Sequence, residues 1–202
     1  MRVDPSEFRR LDLRCHTLLC DVPLHDVWAI PLHNGGPGRT ITDLRALWHR
    51  DGRPPTNRAV RALFALRWWL GRRFGWDDAR HDPPGASYLH RLAEAERLRS
   101  QIPPGTRDGP FRVLYVFGNE ALSEIRNATV HGFLAMALTH QGPGYMAYLG
   151  IYVKAVSRLT RLYMVLIAPF RRFVVYPALS RQLQQAWLRT YTQTGYPSHR
   201  GG

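Results

Sequence analysis

The chain has 202 residues, 45% of them hydrophobic, with a formal net charge of +13. This is one domain's worth of sequence, long enough to bury a core without disulfides or metals. Two cysteines, Cys15 and Cys20, exclude a disulfide framework, and the charged start MRVDPSEFRRLDLRCHTLLC excludes a signal peptide. The expected protein is cytoplasmic and bacterial, with reduced thiols.

So basic a chain points first to nucleic acid or anionic membrane. Yet Lys154 is the only lysine, which is the mark of a GC-rich genome, and the arginines are spread along the chain. No helix-turn-helix or aromatic stacking motif stands out, so no specific nucleic-acid partner is expected.

Residues 1–23 read as an N-terminal extension of mixed polarity, residues 24–193 as a single domain and 194–202 as a flexible tail. HDVWAIPL (25–32) reads as a strand ending at the glycine-rich turn HNGGPG. TITDLRALWH follows as a short helix capped by Thr40 or Thr42. NRAVRALFALRWWLGRRFGW (57–76) is a helix starting at Asn57, and SYLHRLAEAERLRSQ (87–101) is another opened by Ser87. From Phe111 the period changes. FRVLYVF, ALSEI, TVHGFLAMALTHQ and YMAYLGIYVKAV read as four strands joined by tight turns, hence antiparallel hairpins. The remainder returns to helix. The fold class expected is α+β, an antiparallel meander sheet packed against helices.

The most apolar segment, RLTRLYMVLIAPFRRFVVYPAL (158–179), is interrupted by Arg171 and Arg172, which argues against a transmembrane span. On a helical wheel Leu159, Leu162, Tyr163, Leu166, Phe170, Phe173 and Val174 share one face, as in a core-packing helix. Pro169 and Pro177 predict bends in a long C-terminal helix, continued by a stripe of Leu179, Leu183 and Ala186. The competing reading is an arginine-decorated helix at a membrane surface.

Arg67 falls at the centre of an otherwise apolar helix face. A buried guanidinium needs a partner. Asp26, Glu120 and Glu124 are candidates, and a structural ion pair is the commoner outcome; an anion anchor in a cavity is the functional one. Trp69 lies on the arginine face of the same helix, where another helix or the N-terminal residues cover it, or a membrane interface or partner surface uses it.

No catalytic or cofactor motif stands out. GPGYMA (142–147) matches a loose dinucleotide pattern but lacks the helix that should follow. Cys15, His16, Cys20 and His25 fit no standard zinc spacing, so neither metal nor cofactor is expected. Glu120 and Glu124 share a strand face, and His131 lies on the next strand. Such a trio does acid–base chemistry, forms a satisfied buried pair or faces solvent.

HDVWAIPL, ALRWWLGRRFGW, EALSEIRNATVHGFLAMAL and the 158–179 segment together resemble the bacterial family called domain of unknown function 2867, over roughly residues 24–182. The most specific part is a closing segment of the type RLYxxLxxPFxR. Here it is Arg161–Leu162–Tyr163 followed by Ala168–Pro169–Phe170–Arg171. Some members follow a dehydrogenase-like Rossmann domain, and this chain reads as the stand-alone form. The family is similar to the helix-grip folds of polyketide cyclases and lipid-transfer domains, which implies a curved sheet around a C-terminal helix with an apolar cavity between them. The prolines depart from that pattern and imply a broken closing helix. The resemblance carries over no catalytic residue.

The function expected is binding of a small apolar or amphipathic molecule, acidic ones included, between sheet and C-terminal helix. Trp28, Arg67, Tyr115, His131, Tyr152, Tyr163 and Phe170 are the expected lining, with Arg67 anchoring an acidic group. A cyclase- or isomerase-like enzyme would use His131 with Glu120 or Glu124. A third possibility is a basic interaction module touching anionic membrane or a protein partner. The oligomeric state is not legible.

Overall fold

The computed structural model describes residues 1–50, 87–126, 130–155 and 171–191. It is α+β, with six antiparallel strands in one sheet. These are β1 (Leu24–Leu32), β2 (Arg107–Asp108), β3 (Phe111–Val116), β4 (Glu120–Arg126), β5 (Val130–Gln141) and β6 (Gly144–Ala155). The order across the sheet is β1-β6-β5-β4-β3-β2. Strands β3 to β6 form the expected meander, β2 adds a short edge strand that was not expected, and β1 returns to pair with β6. The β5–β6 hairpin closes through Gln141↔Gly144 around a left-handed Gly142, as the GPG signal requires.

Both faces of the sheet are covered. One carries α3 (Ile41–Arg50) and α5 (Tyr176–Tyr191), which enclose Ile30, Val113, Met136, Leu149 and Trp187. The other carries the N-terminal residues and a 3-10 turn, Tyr88–Arg91, over Leu122, Phe133, Ala135 and Tyr152. Strands buried on both faces read as unbroken apolar runs, which is why FLAMAL shows no alternation.

The first 23 residues form two five-residue helices, α1 (Pro5–Arg9) and α2 (Arg14–Leu18). Neither is long enough to be stable alone, so packing holds them. Phe8, Leu13, Cys15, Leu18 and Leu19 enter the same apolar cluster as the sheet. Ahead of α1, Val3 N–H donates to Val27 at 3.1 Å and Ala29 N–H to Met1 at 2.8 Å, covering the outer edge of β1.

The helix expected over 87–101 is two pieces. Ser87 caps the 3-10 turn as expected, but the chain then extends at Leu92 and Ala93 before α4 (Glu94–Arg99). Tyr88 and Leu92 are drawn into the core, whereas α4 buries nothing, so one continuous helix cannot serve both. Glu96 starts the new helix by accepting from Ala93 N–H at 2.9 Å.

The C-terminal helix is also modified. A wide π turn, Arg171–Val175, leads into α5, and Pro177 is the second residue of that helix. Proline lacks the N–H that would close an α-turn, so the irregularity falls before it rather than as a kink after it. Leu183 and Ala186 face the core as expected, joined by a fully buried Trp187. Trp187 is seated on the β1–α3 loop. A Cβ at Gly35, which has φ +111°, would lie 2.6 Å from the indole. The other end of α5 reaches α3, where Tyr191 donates to Asp43 at 3.3 Å. Asp43 in turn accepts from Thr40 N–H at 2.8 Å, making Thr40 the cap.

Candidate functional site

Strand β4 presents Glu120 and Glu124 on one face, as its period requires, and both carboxylates are buried. Each meets the start of a short helix. Glu120 accepts from the backbone N–H of Arg14 at 2.8 Å and of Cys15 at 3.5 Å. These are the first two residues of α2, whose own N-cap, Leu13, has no side-chain acceptor. A carboxylate from the sheet therefore does what an N-cap would do. Tyr115 O–H adds a third donor at 3.0 Å. A bulge at Leu114 turns Tyr115 inward beside it.

Glu124 is arranged similarly. It accepts from Ser87 Oγ, from Tyr88 N–H at 3.1 Å, and contacts His131 Nε2 at 3.2 Å. The His131 ring lies against Tyr88 and Phe133, with centroids 5.3 and 4.5 Å away. Tyr88 continues the network outward. Its O–H donates to Asp21 at 2.9 Å, and the Arg91 guanidinium stacks on its ring at 3.8 Å. Arg91 also pairs with Asp21, which holds that carboxyl well below its usual range.

His16, next to Cys15 in α2, is a third polar group on this face. His16 Nδ1 lies 3.1 Å from Tyr152 O–H, and its Nε2 lies 3.0 Å from the Phe8 carbonyl. Cys15 is buried beside them; desolvation first, and then the Glu120 charge, push its thiol up to about 12. It is a poor nucleophile at neutral pH. Cys20 is exposed, and both thiols are free.

Burial also raises the Glu120 carboxyl above the ordinary glutamate value, against the opposing pull of its three hydrogen bonds. The folded state thus holds this proton more tightly than the unfolded chain. Its contribution is fully present below the unfolded pKa of about 4.3 and is lost as pH rises through the folded value. Glu120→Gln keeps an acceptor for α2 and removes the titration. The stability of this variant relative to the parent is expected to increase from pH 4 to pH 7, read from urea midpoints at each pH. Parallel curves for the two proteins would contradict this origin of the shift.

The predicted lining residues divide between the faces. Tyr115, His131 and Tyr152 lie with Glu120 and Glu124 under the N-terminal residues and the 3-10 turn. Trp28 lies on the other face, beneath Tyr176 of α5 with ring centroids 4.9 Å apart. Arg67, Tyr163 and Phe170, together with Trp69, lie outside the described residues. Of the acids suggested for Arg67, Asp26 pairs with Arg2 at 3.4 Å, and Glu120 and Glu124 hold the partners given above.

Trp28 is 6% exposed, and its indole N–H has no acceptor among the described residues. Trp187 shares that condition. Sequence reasoning missed Tyr176 and Trp187. Trp187 was legible, since it continues the Leu183 stripe by four residues.

The family model described as a protein of unknown function, DUF2867, matches residues 18–178. No curated protein and no solved structure matches the chain. The match spans most of the sequence, and the chain belongs to this family.

Proposed function

We propose that this member of the DUF2867 family binds a small apolar or amphipathic molecule between its sheet and α5, on the side of Trp28. The observation that carries the reading is the Trp28 indole, 6% exposed, packed against the Tyr176 ring at a 31° tilt and with a donor that has no acceptor among the described residues. An unmet buried donor costs about 1–3 kcal/mol, so a native protein keeps one for a reason. A ligand oxygen at that N–H, with its apolar body along the sheet–helix seam, supplies one. The strand order supports the same reading. Helices are inserted between β1 and β2, β1 closes beside β6, and α5 lies across one face, an arrangement compatible with a helix-grip. A cytoplasmic location is part of the proposal.

The enzyme reading has one observation in its favour, the contact of His131 with Glu124 at 3.2 Å. That pair lies on the face away from Trp28, and Glu124 is already engaged by Ser87 and Tyr88. Binding is therefore the better-supported function.

Anilinonaphthalene sulfonate, an apolar anion, serves as probe. Saturable fluorescence enhancement by the native protein is expected. Trp28→Phe keeps an aromatic ring but removes the donor and some core volume, and should weaken the probe about five- to tenfold while lowering the melting temperature without unfolding the protein. Absence of saturable binding, or equal affinity in the variant, would refute the site. Native mass spectrometry of protein purified from its own host would then identify the natural occupant.

A further inference from the structure

The acidic residues of this chain stop at Glu124. The 78 residues after it hold eight arginines and one lysine and no Asp or Glu, so nine of the formal +13 charges belong to this part. An even scatter of arginines from codon usage does not explain why the carboxylates end there.

Within that part α5 is amphipathic. Leu183, Ala186 and Trp187 are buried against the sheet. Arg181, Gln185, Leu188 and Arg189 are exposed, with the i, i+4, i+7, i+8 spacing of one outer ridge. The π turn before it exposes Arg172 and Phe173. Phe173 is 71% exposed and Leu188 39%, two of the four large exposed hydrophobic residues among those described. The Arg172 guanidinium lies 5.5 Å from the Phe173 ring centroid. Single exposed apolar residues are ordinary. Two of them set among arginines, in a segment that itself carries no carboxylate, are a more specific arrangement.

We propose that the outer ridge of α5, with the π turn before it, docks on an anionic lipid surface. Phe173 and Leu188 enter the boundary between headgroups and acyl chains, and Arg172, Arg181 and Arg189 lie at the lipid phosphates. Polynucleotide would satisfy the arginines, but a leucine beside them gives a phosphate backbone nothing to contact. A lipid interface uses both kinds of residue. The contact is peripheral, since no helix among the described residues is long and apolar enough to cross a membrane.

Co-sedimentation with phosphatidylcholine vesicles, with and without phosphatidylglycerol, tests this. Binding is expected only with phosphatidylglycerol, and should weaken between 0.1 M and 1 M salt as the screening length falls from about 10 to 3 Å. The triple variant Arg172→Gln, Arg181→Gln, Arg189→Gln should lower the partition coefficient by about two orders of magnitude, roughly fivefold per arginine. Phe173→Ser should lower it by about tenfold while leaving the melting temperature unchanged, because the side chain is exposed. Failure to bind phosphatidylglycerol vesicles, equal binding to phosphatidylcholine alone, or an unaffected Phe173→Ser variant would each overturn the proposal. If polynucleotide strips the protein from vesicles and Phe173→Ser binds both as the parent does, the ridge is a nucleic-acid surface instead.

Discussion

Phe8→Ala is expected to destabilise the protein by about 3–5 kcal/mol, the usual cost of emptying a buried aromatic site. For a chain of this size that lowers the melting temperature by on the order of 10 °C. Phe8 is fully buried, although it lies in a five-residue helix near the chain start. Its ring meets His16 edge-on at 5.1 Å and sits over Gly150 of β6. A Cβ at Gly150 would lie 2.6 Å from Phe8 Cε1. Neighbouring sheet positions on this face are also small, at Ala29, Ala135 and Ala137, and together they form the trough that receives the ring. Gly150→Ala should therefore also destabilise. The two changes should be markedly less than additive when combined, since emptying the site removes the clash. Differential scanning calorimetry of the two single variants and the double variant measures this. Full additivity, or a harmless Phe8→Ala, would show that the N-terminal helices are not part of the core.

The second large effect is expected at Glu124. Glu124→Ala should cost about 3 kcal/mol or more and loosen the 3-10 turn. The change strands the Tyr88 N–H, Ser87 Oγ and His131 Nε2, all held by this one carboxylate. Glu124→Gln keeps an acceptor oxygen and should recover part of the loss. Hydrogen exchange gives the local readout. The Tyr88 amide should lose protection in Glu124→Ala while the β5–β6 hairpin keeps it. If both regions lose protection together, the carboxylate supports the whole sheet rather than this turn. The same comparison bears on the enzyme reading, because a carboxylate needed for three structural contacts has little freedom to exchange protons with a substrate.

Much of the fold was legible locally. Tight turns such as GPG at 142–144 force neighbouring strands to pair, so the meander follows from short-range sequence. Ser87 and Thr40 mark the helix starts because their side chains accept or complete hydrogen bonds there. The shared face of Glu120 and Glu124 follows from a period of two residues. The pairing of His131 with a carboxylate of β4 was legible as one of three alternatives, and the Arg126↔His131 register brings it to Glu124.

The partners of those residues were less legible. Nothing local in RLDLRCHTLLC announces that Arg14 and Cys15 will donate to Glu120, more than a hundred positions away. Mixed polarity made residues 1–23 look peripheral. In the structure most of their apolar side chains, from Val3 to Val22, enter one cluster on the sheet while Met1 and Cys20 stay exposed, because the helices are short and one face of the sheet lies open to them. The break at Leu92 and Ala93 escaped for a related reason. The helical pattern continued through it, but burial of Tyr88 and Leu92 overrode propensity.

By itself the sequence determined the α+β class, the hairpin order and the family signature, since these depend on residues close together in the chain. Only the tertiary structure decided which cover lies on which face. Strands such as FLAMAL are apolar on both sides, so their alternation carries no contrast to tell one face from the other. That placement separates Trp28, under α5, from Tyr115, His131 and Tyr152, under the N-terminal helices. It assigns the ligand proposal to the first face and a hydrogen-bonded structural network to the second.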